Sequence, residues 1–239
     1  MKKILKNRFL KSLNTYQENA IIQKKMAEKL VDFLDVRYEN VLEIGCGTGF
    51  LTKQITERVL YDNYSAIDIV SECEPFIKSI NENIEFITSD IEEIRLSKKY
   101  DLIVSNAVFQ WLKDFKKFAN GIRENIEETG TFAFTTFGKN NFKELKEVAN
   151  ISLNYYSIDE IKELFAEYEI EILEEETVEI EFNDIKEMLE HIKKTGVNAV
   201  SEKTWGIKEL NTFKENYKNL YGDDVKLTYN PIYVLLKKS

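Results

Sequence analysis

The sequence predicts an α/β fold built on a doubly wound, mostly parallel sheet. Three observations carry this. Short apolar runs alternate with helix-like segments as far as Phe137, the rhythm of βαβ units. The first run, Val41-Leu42-Glu43-Ile44, breaks into three closely spaced glycines, Gly45, Gly47 and Gly49. The later runs end in Asp68, Asp90 and Asn106. Right-handed crossovers gather the C-terminal ends of such strands on one edge, where open α/β sheets bind ligands.

In chain order, Phe9–Leu34 reads as a helix, because Ala20, Ile21, Met26, Ala27, Leu30, Val31 and Leu34 recur at roughly helical spacing. Strands are expected at Asn40–Ile44, Tyr64–Ile69, Ile84–Thr88, Asp101–Ser105 and Thr131–Phe137. Helices are expected between them at Phe50–Thr56, Cys73–Ile80 and Phe115–Ile126. After Phe137 the rhythm stops. Helices then fit Asn141–Ala149, Ile161–Ala166, Asp184–Lys194 and Lys208–Tyr221, and strands fit Glu169–Leu173 and Thr177–Phe182. Val225–Leu236 alternates as one final strand, in which Pro231 signals an edge or bulge. The whole, 1–239, reads as a single domain: a lid helix (1–35), a core (36–137), a cap with later sheet elements (138–224) and a last strand (225–239).

The glycine spacing is informative. A dinucleotide fingerprint is G-x-G-x-x-G, but here Phe50 stands where the third glycine would be. Glu43-x-Gly45-x-Gly47-x-Gly49 instead resembles the first motif of the class I S-adenosylmethionine-dependent methyltransferases, and implies that cofactor and a Rossmann-like fold. Cys46 sits within the loop, where a small side chain is needed. Asp68 lies about twenty residues past the glycines, the offset at which an acid takes ribose hydroxyls. Asp90 suits an adenine amino group, the Ile91 N–H a ring nitrogen, and Ile69 an adenine face. Each acid alone also fits a helix N-cap.

Composition sets the limits. A net charge of −9 with no broad basic face argues against nucleic-acid binding. No apolar run is long enough for a bilayer, and the charged start Met1-Lys2-Lys3-Ile4-Leu5-Lys6 does not fit a signal peptide. A cytoplasmic monomer is expected. Two isolated cysteines, Cys46 and Cys73, with one histidine, His191, give no metal pattern. Lys2, Lys3, Lys6, Arg8, Lys11, Lys24 and Lys25 crowd the first segment, opposed only by Glu18 and Glu28.

A narrower resemblance runs nearly end to end. Tyr16-x-x-x-Ala20-x-x-Gln23, Leu42–Thr52, Asn106-Ala107-Val108-Phe109-Gln110-Trp111-Leu112, residues 191–199 and Leu227-Thr228-Tyr229 are similar to the malonyl-[acyl-carrier protein] O-methyltransferases of biotin synthesis. The segment 120–130 departs from that family's more basic run. The resemblance implies a seven-stranded sheet with an antiparallel last strand, and methyl transfer to the carboxylate of malonyl-acyl-carrier protein. It carries cofactor contacts onto Glu43, Gly45, Gly47, Gly49, Asp68, Asp90, Ile91 and Asn106. The acceptor is already an anion at neutral pH, so no general base is needed. Alignment and exclusion of water then carry the reaction. Tyr16 and Trp111 suit those tasks, Arg123 a clamp on the second carboxylate oxygen, and Phe109 the core. The rival readings are a methyltransferase acting on a small acid or quinone precursor and a non-catalytic cofactor-binding module.

Overall fold

The computed structural model describes residues 2–195 and 206–238; of residues 2–5, 8 and 14 it describes the backbone. Residues 196–199 of the family-like segment therefore lie outside the described residues. Seven strands form the main sheet: β1 (Arg37–Ile44), β2 (Leu60–Asp68), β3 (Glu85–Thr88), β4 (Tyr100–Asn106), β5 (Ile126–Phe137), β6 (Glu169–Glu175) and β9 (Pro231–Lys237). Their order is β3-β2-β1-β4-β5-β9-β6. β1 to β5 pair in parallel, whereas β9 runs antiparallel to both its neighbours. The order reverses beside β1, so the switch point falls between β1 and β4, at the glycine loop.

Strand alternation gives each face its own core. Leu42, Ile44, Phe132 and Phe134 point to one side, where they meet α5 (Phe115–Ile122) and α7 (Ile158–Leu164). There Phe109 stacks among Phe115, Phe118, Phe132 and Phe134 as a core ring. Val41, Leu102, Val104 and Ala133 point to the other side, under α2 (Ile21–Asp32), α3 (Phe50–Arg58) and α4 (Glu74–Ile80). A third cluster joins α6 (Lys143–Ala149), α8 (Ile185–Lys194), α9 (Ile207–Tyr221) and the small sheet of β7 (Val178–Phe182) with β8 (Val225–Tyr229). It covers the far end of the strand edge. No described helix is long and apolar enough to cross a membrane.

Two expected elements divide. The first helix breaks at Ala20 (φ −83°, ψ 52°) into α1 (Lys2–Asn19) and α2. A straight rod cannot cover the sheet flank with Met26, Ala27 and Leu30 and also cross the strand ends with Phe9 and Tyr16. The last strand divides at Asn230. Its first half pairs with β7, and its second half enters the main sheet between β5 and β6. Pro231 is the first residue of that inner strand, opposite Phe137, where proline is tolerated at a strand's start.

Candidate active site

β1 ends at Ile44, and the chain turns sharply through Gly45 (φ +69°), Gly47 (φ +51°) and Gly49 (φ +87°) into α3. A Cβ on Gly45 would stand 2.4 Å from Val108 Cγ2, so this position needs glycine for space as well as for conformation. Gly45 N donates to Ile67 O (2.7 Å), which ties the loop to β2. Gly47 N donates to Asp68 Oδ2 and Val70 N to Asp68 Oδ1, both at 2.8 Å. Asp68 is buried, and that burial raises its pKa against the pull of these backbone donors.

Glu43 lies one layer deeper. It accepts from Thr52 Oγ1 (2.6 Å) and from the Tyr64 hydroxyl, and so binds β1 to α3 and β2. Burial pushes its pKa up to about 7, with Asp68 adding to the rise.

α1 crosses above the loop. The Tyr16 ring stacks on Phe50 (5.5 Å) and meets Phe9 edge-on (5.2 Å). Tyr16 is half-buried, and burial of its hydroxyl, with the nearby Asp68 adding to the effect, raises its pKa and holds the phenol protonated. Asn106, at the end of β4, donates to Gln23 O (2.9 Å) and accepts from Thr135 Oγ1 (2.7 Å), joining β4 to α2 and β5.

These groups line one cavity of about 180 Å³. It contains Tyr16, Trp111, Glu43, Gly45, Cys46, Gly47, Asp68, Ile69, Asp90, Ile91 and Asn106. Gly49 is not in the lining; it faces Ile77 and Ile80 of α4 and serves the packing of the loop. No helix follows Asp90 for it to cap; its Oδ1 accepts from Glu92 N (3.0 Å) and closes a turn after β3.

Arg123 is a correction. It follows α5 and precedes β5, at the end of the sheet opposite the cavity. There Nη1 donates to Glu167 O (2.8 Å), and the guanidinium lies 5.2 Å from the Tyr168 ring. An arginine at the N-terminal end of a strand cannot clamp a substrate at the C-terminal ends. Lys6 is the cation in the described lining, on the side of Asp68.

Several lining residues carry no motif: Lys6, Phe137, Asn141, Phe142, Leu153 and Tyr155; Thr48, Gln110 and Thr195 also line it and fall within the family-like stretches. The same crossover rule that collected Asp68 and Asn106 also collects the end of β5. That rule was the available signal for Asn141 and Phe142. Tyr155 and Thr195 come from cap segments that no strand-end rule reaches.

Among the described residues no group of His, Cys, Asp and Glu could hold a metal ion. The cavity does fit a polar organic cofactor. Gln23 Oε1 and Thr48 Oγ1 are buried in its wall with no hydrogen-bond partner among the described residues, a state that costs about 1–3 kcal/mol each unless a ligand relieves it.

Comparison with known proteins agrees with this geometry. Residues 16–175 match the methyltransferase domain family. The malonyl-[acyl-carrier protein] O-methyltransferase of Calditerrivibrio nitroreducens is 37% identical, over 98% of this chain and 96% of its own. The enzyme of that name from Chlorobium luteolum is 33% identical, over 99% and 95%. The chain belongs to the malonyl-[acyl-carrier protein] O-methyltransferase family. The fold is shared more widely. The N-methyltransferase NodS of Bradyrhizobium japonicum, solved in complex with S-adenosyl-L-homocysteine, has a TM-score of 0.53 at 13% identity, covering 94% of this chain and 98% of its own. Within the family's glycine motif, this chain gives the loop glycines three different jobs: clearance for Val108, closeness to Phe9, and packing on α4.

Proposed function

We propose that this protein transfers a methyl group from S-adenosylmethionine to the free carboxylate of malonyl-acyl-carrier protein, giving the methyl ester with which pimeloyl assembly for biotin begins. The observation that carries this reading is the single cavity joining the glycine loop and Asp68 to an apolar pocket beyond Asn106, in a chain similar to those enzymes from end to end. The cofactor's sulfonium supplies an electrophilic methyl group.

The residues divide the remaining work. Asp68 keeps lone pairs beyond its two backbone donors for a pair of ribose hydroxyls. Asp90, Ile91 and Ile69 form the adenine side. Gln23 Oε1 and the Thr48 hydroxyl, both without a partner among the described residues, would hold the amino-acid end of the cofactor, the first toward its ammonium and the second toward its carboxylate. Tyr16 and Trp111 close the reacting centre against water, which keeps the acceptor carboxylate poorly solvated and reactive. No side chain has to take a proton, because the acceptor is ionised at neutral pH.

The carrier is reached from a basic face. Thr15 Oγ1 donates to Lys194 O (3.3 Å), which sets the end of α1 beside the end of α8. Lys11, Lys24, Lys25, Lys193 and Lys194 are exposed there and on the start of α2, and among the described residues none is in an ion pair. Exposed charges act over about 10 Å at 0.1 M salt, so such a face can steer an acidic carrier although the whole chain carries −9. Raising salt should lower kcat/KM on the carrier. Reversing Lys24 and Lys25 to Glu should raise KM and leave cofactor affinity unchanged.

The deciding experiment is mass spectrometry of malonyl-acyl-carrier protein incubated with the protein and S-adenosylmethionine. A gain of one methyl group on the malonyl arm is expected. Methylation of a free small acid instead would select the small-molecule reading, and cofactor binding with no transfer to any acceptor would select the binding module.

A further inference from the structure

With Arg123 at the far end of the sheet, the second oxygen of the acceptor carboxylate needs another holder. The cations that follow β5 do not supply one. Lys139 is paired with Glu160 (2.8 Å) and Lys143 with Glu179 (3.4 Å) on the surface. Two other polar side chains on this side of the cavity are tied to the backbone. Gln110 Nε2 donates to Ala107 O (2.6 Å), and Thr195 Oγ1 donates to Ile192 O (3.1 Å).

Asn141 and Tyr155 differ. Both are buried and both line the cavity. Asn230 N donates to Asn141 Oδ1 (3.1 Å), which fixes the amide's orientation, because only the oxygen can receive that N–H. The Asn141 Nδ2 then donates to the Tyr155 hydroxyl oxygen (2.9 Å). A hydroxyl whose oxygen receives a hydrogen bond still has its own proton to give. The Tyr155 proton has no acceptor among the described residues, and the second Nδ2 proton of Asn141 has none either. The relay Asn230 N–H, Asn141, Tyr155 thus ends in two donor groups on side chains that line the cavity.

We infer that Asn141 and Tyr155 form a neutral clamp for the carboxylate of the substrate, with the Tyr155 hydroxyl as the principal donor. This deepens the proposed function and rests on it. The surrounding Phe137, Phe142 and Leu153 give the clamp an apolar setting in which hydrogen bonds to an anion are strong. Burial also holds the Tyr155 phenol protonated, so it remains a donor at every working pH. Neutral donors suit this chemistry better than an arginine. They orient one oxygen without neutralising the charge that makes the other a nucleophile. The clamp also discriminates between acid and product, because the methyl ester carries no anion for it to hold.

The test compares malonyl-acyl-carrier protein with its methyl ester, using protein saturated with S-adenosylhomocysteine. The wild type should bind the acid more tightly than the ester. Tyr155→Phe keeps the ring and removes the donor, so it should bring the two affinities together and lower kcat/KM by roughly ten- to hundredfold. Asn141→Asp keeps the acceptor for Asn230 N–H but replaces the donor with an oxygen. That oxygen captures the Tyr155 proton, so this variant should reject the acid while still binding the ester. Thermal midpoints and calorimetric affinity for S-adenosylhomocysteine report that both variants are folded and hold cofactor as the wild type does. Wild-type kcat/KM and acid-to-ester preference in Tyr155→Phe would overturn the clamp alone. A wild type that does not methylate the carrier-bound acid overturns the proposed function and, with it, the clamp.

Discussion

The two halves of the cavity are built by different means. Under α1, the half proposed for the cofactor is made of strand ends and main chain: the glycine turn, the backbone donors on Asp68, and the buried carboxyl of Glu43. Beyond Asn106, the half proposed for the acceptor is made of side chains on connecting segments, with Asn141, Phe142 and Tyr155 tied to one another, to β8 and to the chain between β8 and β9. Charge is buried in the first half, and neutral donors and rings make up the second. A carboxylate surrounded by N–H groups binds hydroxyls firmly, and that suits a cofactor whose own charges lie elsewhere. An anionic acceptor needs the opposite, a pocket without carboxylates. Keeping Asp68 and Glu43 on one side of the reacting centre and neutral donors on the other satisfies both demands in one cavity.

The largest effect expected from this contrast is on stability against pH. Burial moves Glu43 from its ordinary 4.5 to about 7, equivalent to on the order of 3 kcal/mol. The folded state therefore holds this proton more tightly than the unfolded chain does. The associated stability is fully present below about 4.5 and is lost as pH rises through about 7. Asp68 is raised as well and acts in the same direction. The exposed acids in ion pairs, such as Glu160 and Glu179, are shifted downward and act at lower pH. Glu43→Gln should remove most of the fall in denaturant midpoint between pH 5 and 8. Parallel midpoints in the wild type and the variant would mean that Glu43 is solvated, and the difference between the halves would be smaller than described.

Asp68→Ala comes next. It should cost about 1.5–3 kcal/mol of cofactor affinity, roughly ten- to hundredfold by calorimetry. It also leaves the Gly47 and Val70 N–H groups without their acceptor, so the thermal midpoint should fall too. Unchanged affinity would remove Asp68 from the cofactor half. Gly45→Ala forces a side chain into positive φ and against Val108, at a cost of about 1–3 kcal/mol. Val108 stands between the halves, so this variant should weaken cofactor affinity and raise KM for the acceptor together. A change in only one of them would show that the halves are mechanically separate.

The same contrast explains what could be read from the chain. Gly45, Asp68 and Asn106 were legible because their positions follow from strand ends, and strand ends follow from short apolar runs. Glu43 was legible as part of the motif, but its depth beneath the loop was not, because the bonds to Thr52 and Tyr64 join three separate elements. The sheet was legible up to β5. The division of the last strand at Asn230 was not, since alternation continues through it and only the pairing partners change. Asn141, expected to open a helix, stands in the turn before α6, and Tyr155 lies in an irregular segment with no motif; their significance comes from the Asn230 N–H far along the chain.

The smallest expected effect concerns Arg123, and it tests whether the acceptor half contains all of its own machinery. Residue type alone recommends an arginine for gripping a carboxylate, since its fork fits two oxygens. Position decides otherwise. Arg123 lies between α5 and β5, donates to Glu167 O and covers the Tyr168 ring at the strand-start end of the sheet. Arg123→Ala should therefore cost about 0.5–1 kcal/mol of stability, the size of a partly exposed cation–aromatic contact. It should leave KM for the carrier, kcat and cofactor affinity as they are. The comparison with Tyr155→Phe sharpens this. Removing a whole guanidinium should change stability slightly and kinetics not at all, whereas removing one hydroxyl oxygen should do the reverse. If Arg123→Ala instead raised KM for malonyl-acyl-carrier protein with its midpoint unchanged, the carrier would have to contact the strand-start end of the sheet. The basic face on α1, α2 and α8 would then not be the whole of its docking surface.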